Sequence, residues 1–469
     1  MKIKYPMELA KELFSLPTNG ATINSAEEIT GQGADYVKVL GGIHPVDPAA
    51  PDIQFQVNLP TNWNGKLLHL GGGRFDGFLV NGEGPIIGQG PEDISPLAAG
   101  YATCGSDSGH TADFASGNPW DSRFALNEEA LRNFAHEHIK KTIDAANWIV
   151  RQFYGVAPKK QYFAGGSNGG RTALNAAIRY PEVYDGILCL FPVLNWVEKA
   201  IKDAMNATFL AAQNWEGILE ASQYREVTEK IIAICGDEKG LIRNLADAQT
   251  HEQEVKAALR SMLKEDQMHA MEQFASPLEF PYPLFGDVRS MPGYSVFQGE
   301  PLADSISTQY SGSGKRDGAM ARFGDAVIRY QIMRDERFDP TALDMNVHRE
   351  KIQQASALLD ATDADLRPFV SHGGKLLLLH GLMDQVVTPL GTIDYYDRAK
   401  KIIGPAADTH LRFYQIPNYG HGIGEHFVMQ ADLLGVLDRW VTEDCLPNEI
   451  PAKNMRPGAE RETLTLLPC

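Results

Sequence analysis

The residues best suited to chemistry lie in the run Gly165-Gly166-Ser167-Asn168-Gly169-Gly170. Gly165 and Gly169 frame the serine in a G-x-S-x-G pattern. The strand-like QYFAG at 161–165 precedes it, and a helical pattern begins at about Gly169 and ends near Tyr180-Pro181. Strand, tight turn and helix are the context a nucleophile elbow requires. Neighbours carrying a Cβ would clash in such a turn. The turn lifts the serine hydroxyl above the sheet, close to a helix N-terminus where developing negative charge is favoured. A glycine-rich turn with an incidental serine is the plainer alternative, and the flanking elements argue against it.

A serine hydroxyl is a weak nucleophile and needs a base. His421, in IPNYGHGIG, can take the proton from Ser167. Asp384, in LLLLHGLMDQVVTP, can fix the tautomer of that histidine and stabilise its cation. Each follows an apolar strand-like run, and the chain order serine, acid, histidine is that of the α/β-hydrolase fold. The tetrahedral intermediate also needs backbone N–H donors. Asn168, directly after the nucleophile, supplies one. Gly72 or Gly73, in a Gly71-Gly72-Gly73 loop that follows the strand-like KLLHL at 66–70, supplies the other. Each donor lowers the barrier by on the order of 3 kcal/mol.

Three further residues are candidates for substrate contact: His110 in GSDSGH, Phe323 as part of an acyl pocket, and Arg329 as a partner for a substrate carboxylate. Trp215, Phe285, Tyr310 and Tyr330 could join Phe323 in that pocket, although for each of the five taken singly ordinary packing in the core of the lid is the better reading. His380, directly after a buried strand, reads as structural, and His426, placed at the start of the last helix, as structural or exposed.

The elements that must position these groups alternate. IQFQVNL at 53–59, KLLHL at 66–70, YATCGSD at 101–107, QYFAG at 161–165, GILCLF at 186–191, KLLLL at 375–379 and LRFYQI at 411–416 read as strands. A helix capped by Asn127 and stopped by Gly155 lies between the third and fourth strands, and further helices are expected at 391–402 and 426–441. Strands alternating with amphipathic helices imply a mostly parallel sheet flanked by helices. The alternation breaks over 199–362. There, helical stretches near 196–213, 218–234 and 253–272 give way to the Pro-rich 276–285 and a Ser/Gly-rich loop at 305–318. The expectation is an α/β-hydrolase core formed by 1–198 and 363–469, with a large inserted lid domain at 199–362.

The whole composition is that of a soluble enzyme. The 469 residues carry a formal net charge of −17, which disfavours binding to nucleic acid or to an anionic membrane surface. The charged N-terminal stretch MKIKYPMELAKELFSL lacks the apolar run of a secretory signal, which favours a cytoplasmic enzyme, or a secreted one if a leader has been removed. No stretch approaches the roughly 18 apolar residues of a membrane span. The five cysteines have no metal-ligand spacing. Cys104 and Cys189 read as buried core thiols, and Cys445 with Cys469 could be bonded near the C-terminus. A small-molecule ester is the expected partner and no cofactor is required; the sequence does not specify an oligomeric state.

Taken together, APDIQFQVNLPTNWNGKLLHLGGGRFDG, GYATCGSDSGH, YFAGGSNGGRTALNAAIRYPEVYDGI, DATDADLRPFVSHGGKLLLLHGLMDQVVTPLGTIDYYDRA and IPNYGHGIG resemble the tannase/feruloyl esterase family over most of the chain. The resemblance implies an α/β-hydrolase core with a lid inserted before the acid strand. It also implies hydrolysis of esters of aromatic acids such as gallate, hydroxycinnamates or terephthalate monoesters. Two departures stand out. The family usually has a disulfide joining a cysteine before the serine to one after the histidine, and here those positions are Gly166 and Gly422. Loss of both together fits a reducing compartment. The family's lid often carries an Asp-rich calcium loop. The matching ICGDEKGLIRN at 234–244 offers only Asp237 and Glu238, too few for the six to eight oxygens calcium takes, so no metal is expected. A hydrolase of lactones, natural-product esters or amides shares the same triad logic. A non-catalytic binding protein on the same scaffold would be expected to have lost a triad member.

Overall fold

Every residue of KLLLL at 375–379 is buried, because this strand runs through the middle of a sheet covered on both faces. The computed structural model describes residues 5–31, 33–90, 92–112, 120–219, 221–299, 318–422, 426–456, 458–459 and 462–469. The strands of the large sheet are β1 (Met7–Leu9), β2 (Ala21–Ile29), β3 (Tyr36–Ile43), β4 (Ile53–Pro60), β5 (Lys66–Leu70), β6 (Ala102–Ser106), β7 (Lys160–Gly166) and β8 (Gly186–Leu190). After a short hairpin of β9 (Leu278–Glu279) and β10 (Ser290–Met291), β11 (Lys375–Gly381) and β12 (Leu411–Ile416) complete it.

The ten strands run in the order β1-β2-β3-β4-β6-β5-β7-β8-β11-β12. Pairings from β1 to β4, and from β4 to β6, are antiparallel. Those from β6 across to β12 are parallel. The C-terminal ends of β5, β7, β11 and β12 therefore share one edge, and the loops leaving that edge carry Gly71–Gly73, Ser167, Asp384 and His421. In parallel α/β sheets this is the edge where ligands bind.

The period-two alternation of a strand sorts the core into two layers. Phe163, Ile187, Leu376, Leu378 and Phe413 face one side, with Ile143 of helix α2 (His138–Tyr154) and Leu174 of helix α3 (Asn168–Arg179). Tyr162, Leu188, Leu377, Leu379 and Tyr414 face the other, with Leu437 and Trp440 of the helix Leu433–Glu443. Each such buried leucine contributes about 1.5–3 kcal/mol.

The expected caps form. Asn127 accepts the amide of Ala130 at 2.9 Å ahead of helix α1 (Glu128–Arg132), and Gly155 ends α2 at φ 78°. Between α1 and α2, Asn133–Glu137 widens into a π-helical turn that the apolar spacing did not reveal.

From β8 to β11 the described residues add no strand to the large sheet. It builds helices instead, beginning with α4 (Trp196–Ala212) and including Ala221–Cys235, Glu252–Leu259, Glu265–Ala275, Ala319–Ala326 and Arg349–Leu359. The helix expected over 253–272 is two helices, because Gln267 turns its side chain back to cap the amide of Lys264 at 3.0 Å and starts the second. The loop at 305–318, apart from Gly318, lies outside the described residues, as does Tyr310. The last helix begins at Leu433 and not near 426. Met429–Gln430 (β13) instead pairs with β14 (Ile450–Asn454), which pairs in turn with β15 (Thr463–Leu466), and Asp432 caps the helix by accepting the amide of Gly435 at 3.0 Å. All five cysteines are free thiols, so Cys445 and Cys469, both exposed, are not joined. Among the described residues no helix is long and apolar enough to cross a membrane.

Candidate active site

Ser167 sits between β7 and α3 at φ 60°, ψ −123°. A non-glycine residue in that conformation costs of order 1–3 kcal/mol and needs surroundings that enforce it. Its amide donates to Leu190 O at 3.1 Å, and its carbonyl accepts the amides of Arg171 at 3.1 Å and Val193 at 3.2 Å. The glycines on either side permit the turn. A Cβ on Gly165 would stand 2.3 Å from Gly169 O, and one on Gly169 would stand 2.7 Å from Gly72 O.

Close approach of Gly169 to Gly72 brings the start of α3 against the Gly71–Gly73 loop. Among the described residues, the amides of Gly72, Gly73 and Asn168 donate to no protein acceptor. Gly72 is required sterically, since a Cβ there would lie 2.3 Å from Oδ1 of the buried Asp76. Burial pushes the Asp76 carboxyl up to about 7, against the opposing influence of the Arg171 charge and of Ser108 and Asn168. Arg171 is itself fully buried. Its Nε donates to Asn168 Oδ1 at 2.8 Å, and its terminal nitrogens donate to Ala135 O (3.0 Å), Phe134 O (3.2 Å) and Leu359 O (2.8 Å). The first two of those carbonyls belong to the π-helical turn.

Asp384 and His421 meet across the ends of β11 and β12, with His421 Nδ1 2.7 Å from Asp384 Oδ2. The other oxygen of Asp384 accepts the amides of Val386 and Val387, each at 2.8 Å. The carboxylate is fully buried, and burial alone would push its pKa up. The facing His421 and hydrogen bonds from His380 and His421 outweigh that and hold it well below the usual carboxylate range. An ionised Asp384 makes Nδ1 the protonated nitrogen of His421 and leaves Nε2 able to accept a proton. His380 backs this arrangement as a structural residue. Its Nδ1 lies 2.8 Å from Thr392 Oγ1, and its Nε2 is 3.1 Å from Val387 O and 3.3 Å from Asp384 Oδ2.

The ring of Phe191 packs on His421 with centroids 4.6 Å apart. It also occupies the space beside Gly166 and Gly422, the positions where the resemblance implies cysteines in the family. A Cβ on Gly166 would come within 2.9 Å of this ring, and one on Gly422 within 3.4 Å.

Ser167, His421 and the Gly71–Gly73 loop line one cavity of about 690 Å³. Phe323 lines it too, in contact with Trp120 (6.0 Å between centroids) and Trp196 (5.0 Å), so three aromatic residues form one wall. His110 and Arg329 are not in its lining. His110 is stacked on Phe124 at 3.7 Å in the adjoining core, where burial pushes its pKa down to about 3. Arg329 points back along its own segment, its Nε donating to Phe338 O at 3.0 Å. Trp215, Phe285 and Tyr330 also fall outside the lining, and Phe285 instead lies under Arg179 at 4.8 Å. In the stretch 234–244, where the resemblance places the family's calcium loop, Asp237 ties its own turn together, accepting the amides of Lys239 and Leu241 and pairing with Arg243 at 2.7 Å.

Asp76, Arg171, Phe191, Trp196 and Lys199 belong to this site and were not singled out from the sequence. Arg171 carried a signal, being a lone charge inside the small-residue run GGSNGGRTA, whereas Asp76 follows Arg74 and Phe75 in GGGRFDG and did not stand out. Lys199 and Asp203 lie four residues apart on α4, which is buried nearly all round.

A predominantly parallel sheet, a strained serine after β7 and an Asp–His pair after the last two strands define an α/β-hydrolase. The family model "Tannase and feruloyl esterase" matches residues 37–469. An uncharacterized esterase of Agrobacterium fabrum is 32% identical over 464 residues, covering 92% of this chain and 82% of that protein. A probable feruloyl esterase B-1 of Aspergillus flavus is 24% identical over 472 residues, covering 93% of this chain and 82% of that protein. The crystal structure of feruloyl esterase B from Aspergillus oryzae superposes with a TM-score of 0.77 at 18% identity, covering 97% of this chain and 93% of that one. The chain belongs to the tannase and feruloyl esterase family and is a carboxylic ester hydrolase.

Proposed function

We propose that the enzyme hydrolyses carboxylic esters of aromatic acids, of the feruloyl or galloyl type, through an acyl-enzyme on Ser167. The observation that carries this reading is the Asp384–His421 contact of 2.7 Å beside a cavity that also holds the strained Ser167 and an aromatic wall. Ser167 Oγ attacks the ester carbonyl carbon while His421 Nε2 takes its proton. The carbonyl oxygen, now an anion, is held by the amides of Asn168 and of Gly72 or Gly73. As the tetrahedral species collapses, His421 returns the proton to the departing alcohol. Water then attacks the acyl-serine carbonyl, His421 again serving as base, and the carboxylic acid leaves with Ser167 restored. Family membership and the aromatic acids in the relatives' names support the acyl part of this reading. The exposed free thiols of Cys445 and Cys469 suit a reducing compartment, and the cytoplasm is the proposed location.

The test is turnover of methyl ferulate, methyl gallate, chlorogenate and terephthalate monoesters by the wild type and by Ser167→Ala. Hydrolysis of at least one aromatic ester is expected, abolished in the variant with the fold intact. Turnover surviving in Ser167→Ala contradicts the serine mechanism, and activity confined to aliphatic esters contradicts the substrate class.

A further inference from the structure

Among the described residues lining the cavity, Lys199 is the one buried cation; the other, Arg74, is exposed. It comes from the first turn of α4, next to Trp196, and its side chain is 5% exposed. Its ammonium pairs with Oδ2 of the fully buried Asp203 and donates to Tyr294 Oη at 3.2 Å. Tyr294 in turn donates its hydroxyl to Asp203 Oδ1 at 2.7 Å, so each of the three groups bonds the other two. The ammonium lies 4.8 Å from the centre of the Phe323 ring, at the aromatic wall of the cavity.

An ammonium has three N–H donors. Asp203 and Tyr294 take two, and among the described residues the third meets no acceptor. A buried ion pair is a poor device for stability, since well-packed apolar residues commonly do as well or better. Placed in the wall of a binding cavity, with a donor to spare beside three aromatic rings, it is a device for recognition. The neighbouring Lys202 does not line the cavity; its ammonium donates to Gln273 O and Ser276 Oγ.

On the reading that the site takes aromatic acyl groups, we infer that Lys199, held by Asp203 and Tyr294, binds an oxygen acceptor on the acyl ring. The aromatic faces of Trp120, Trp196 and Phe323 receive the ring, and the ammonium selects rings bearing a hydroxyl, methoxy or carboxylate oxygen over unsubstituted ones. Rejection of an analogue lacking the oxygen follows because the site's buried donor would then be left unpaired.

The experiment compares kcat/KM for methyl benzoate and methyl cinnamate with the values for their 4-hydroxy and 4-carboxy derivatives. It uses the wild type, Lys199→Met and the double variant Lys199→Met/Asp203→Asn. The double variant removes both charges, so it remains informative if the single one leaves Asp203 stranded and fails to fold. Intrinsic ester reactivity cancels when each preference is expressed relative to the same preference in the wild type. At least one oxygenated series is expected to be favoured tenfold or more by the wild type. That preference should fall toward unity in the double variant, chiefly through KM, as for a contact remote from the reacting carbonyl. The series that loses its preference identifies the acceptor as neutral or anionic. An equal preference in wild type and double variant, or none in the wild type, overturns the role of Lys199 while leaving the esterase reading in place. Failure of the wild type to turn over any ester, p-nitrophenyl acetate included, overturns both.

Discussion

Phe191 stands between Gly166 and Gly422 with its ring against His421, and its backbone is held at φ 34°. A ring in van der Waals contact can hold the histidine loop by packing where a disulfide would hold it covalently. Phe191→Ala is therefore expected to destabilise the fold by about 3–5 kcal/mol, the range for large-to-small core changes. It should also lower kcat/KM for an aromatic ester by tenfold or more while Ser167 remains present. Melting curves and steady-state kinetics check this, and unchanged turnover in a folded variant would remove Phe191 from the positioning of His421. Asp76 gives a prediction of defined sign. Its pKa is raised in the folded state to about 7, so its contribution to stability is fully present below the unfolded carboxyl value of about 3.9 and is lost as pH rises through 7. Asp76→Asn keeps the shape of the neutral acid and cannot ionise. Relative to the wild type, its melting temperature should rise between pH 5 and pH 8; a constant difference across that range would contradict the shift.

The elements that present the site were legible where a strand or cap had a local signature. QYFAG, KLLLL and LRFYQI are runs whose every turn of pattern agrees with a buried parallel strand, and Asn127 and Gly155 bracket their helix as read. What stayed hidden depends on contacts between elements distant in sequence. The π-helical turn at Asn133–Glu137 keeps an ordinary helical composition, and its purpose is visible only once Arg171 of α3 reaches its carbonyls. Arg171 joins that turn, α3 and the end of the helix Arg349–Leu359 at one point, with its guanidinium 4.8 Å from the rings of both Phe134 and Trp196. Arg171→Met removes the charge facing Asp76 and the hydrogen bond to Asn168. A loss of about 3–5 kcal/mol of stability is expected, as for one member of a buried charge set, with kcat falling more than KM changes. Denaturant titration with kinetics on one ester decides it, and a neutral substitution would show that Asn168 is held by other means.

Across the whole molecule, the buried titrating groups oppose one another. His69, His110 and His138 are held neutral, burial pushing them down to about 3, 3 and 4, so their contribution is lost as pH falls from the unfolded histidine value of about 6.5. Asp76 and Asp107, raised by burial to about 7, and Asp360, raised to about 6, contribute in the opposite direction, losing stability as pH rises from about 4. Between pH 4.5 and 6.5 the two sets compensate. Below about pH 4 only the losses remain, joined by that of Asp384, whose depressed pKa stabilises the fold only while it is ionised. The melting temperature should be nearly level from pH 5 to 6.5 and collapse below pH 4, whereas a steep fall already between pH 6.5 and 5 would show that the histidine set dominates. At this scale the sequence was readable in the strands of the large sheet from β4 onward and in the chain order of serine, acid and histidine, while β1, β2 and β3 went unread. It was unreadable in the inserted helices, where apolar, aromatic and charged residues alike are buried and helical periodicity does not distinguish a cavity wall from packed core. Phe323 could be picked out as an aromatic beside the site, and its partners Trp120 and Trp196 could not.

The central claim is a covalent acyl-serine, and it can be observed directly. The enzyme is mixed with the p-nitrophenyl ester of ferulic acid, quenched in acid within the first turnover, digested and weighed by mass spectrometry. A feruloyl group on the peptide bearing Ser167, absent in Ser167→Ala, is the result the account predicts. Product released at full rate with the acyl group on another residue, or with no dependence on Ser167, would contradict it.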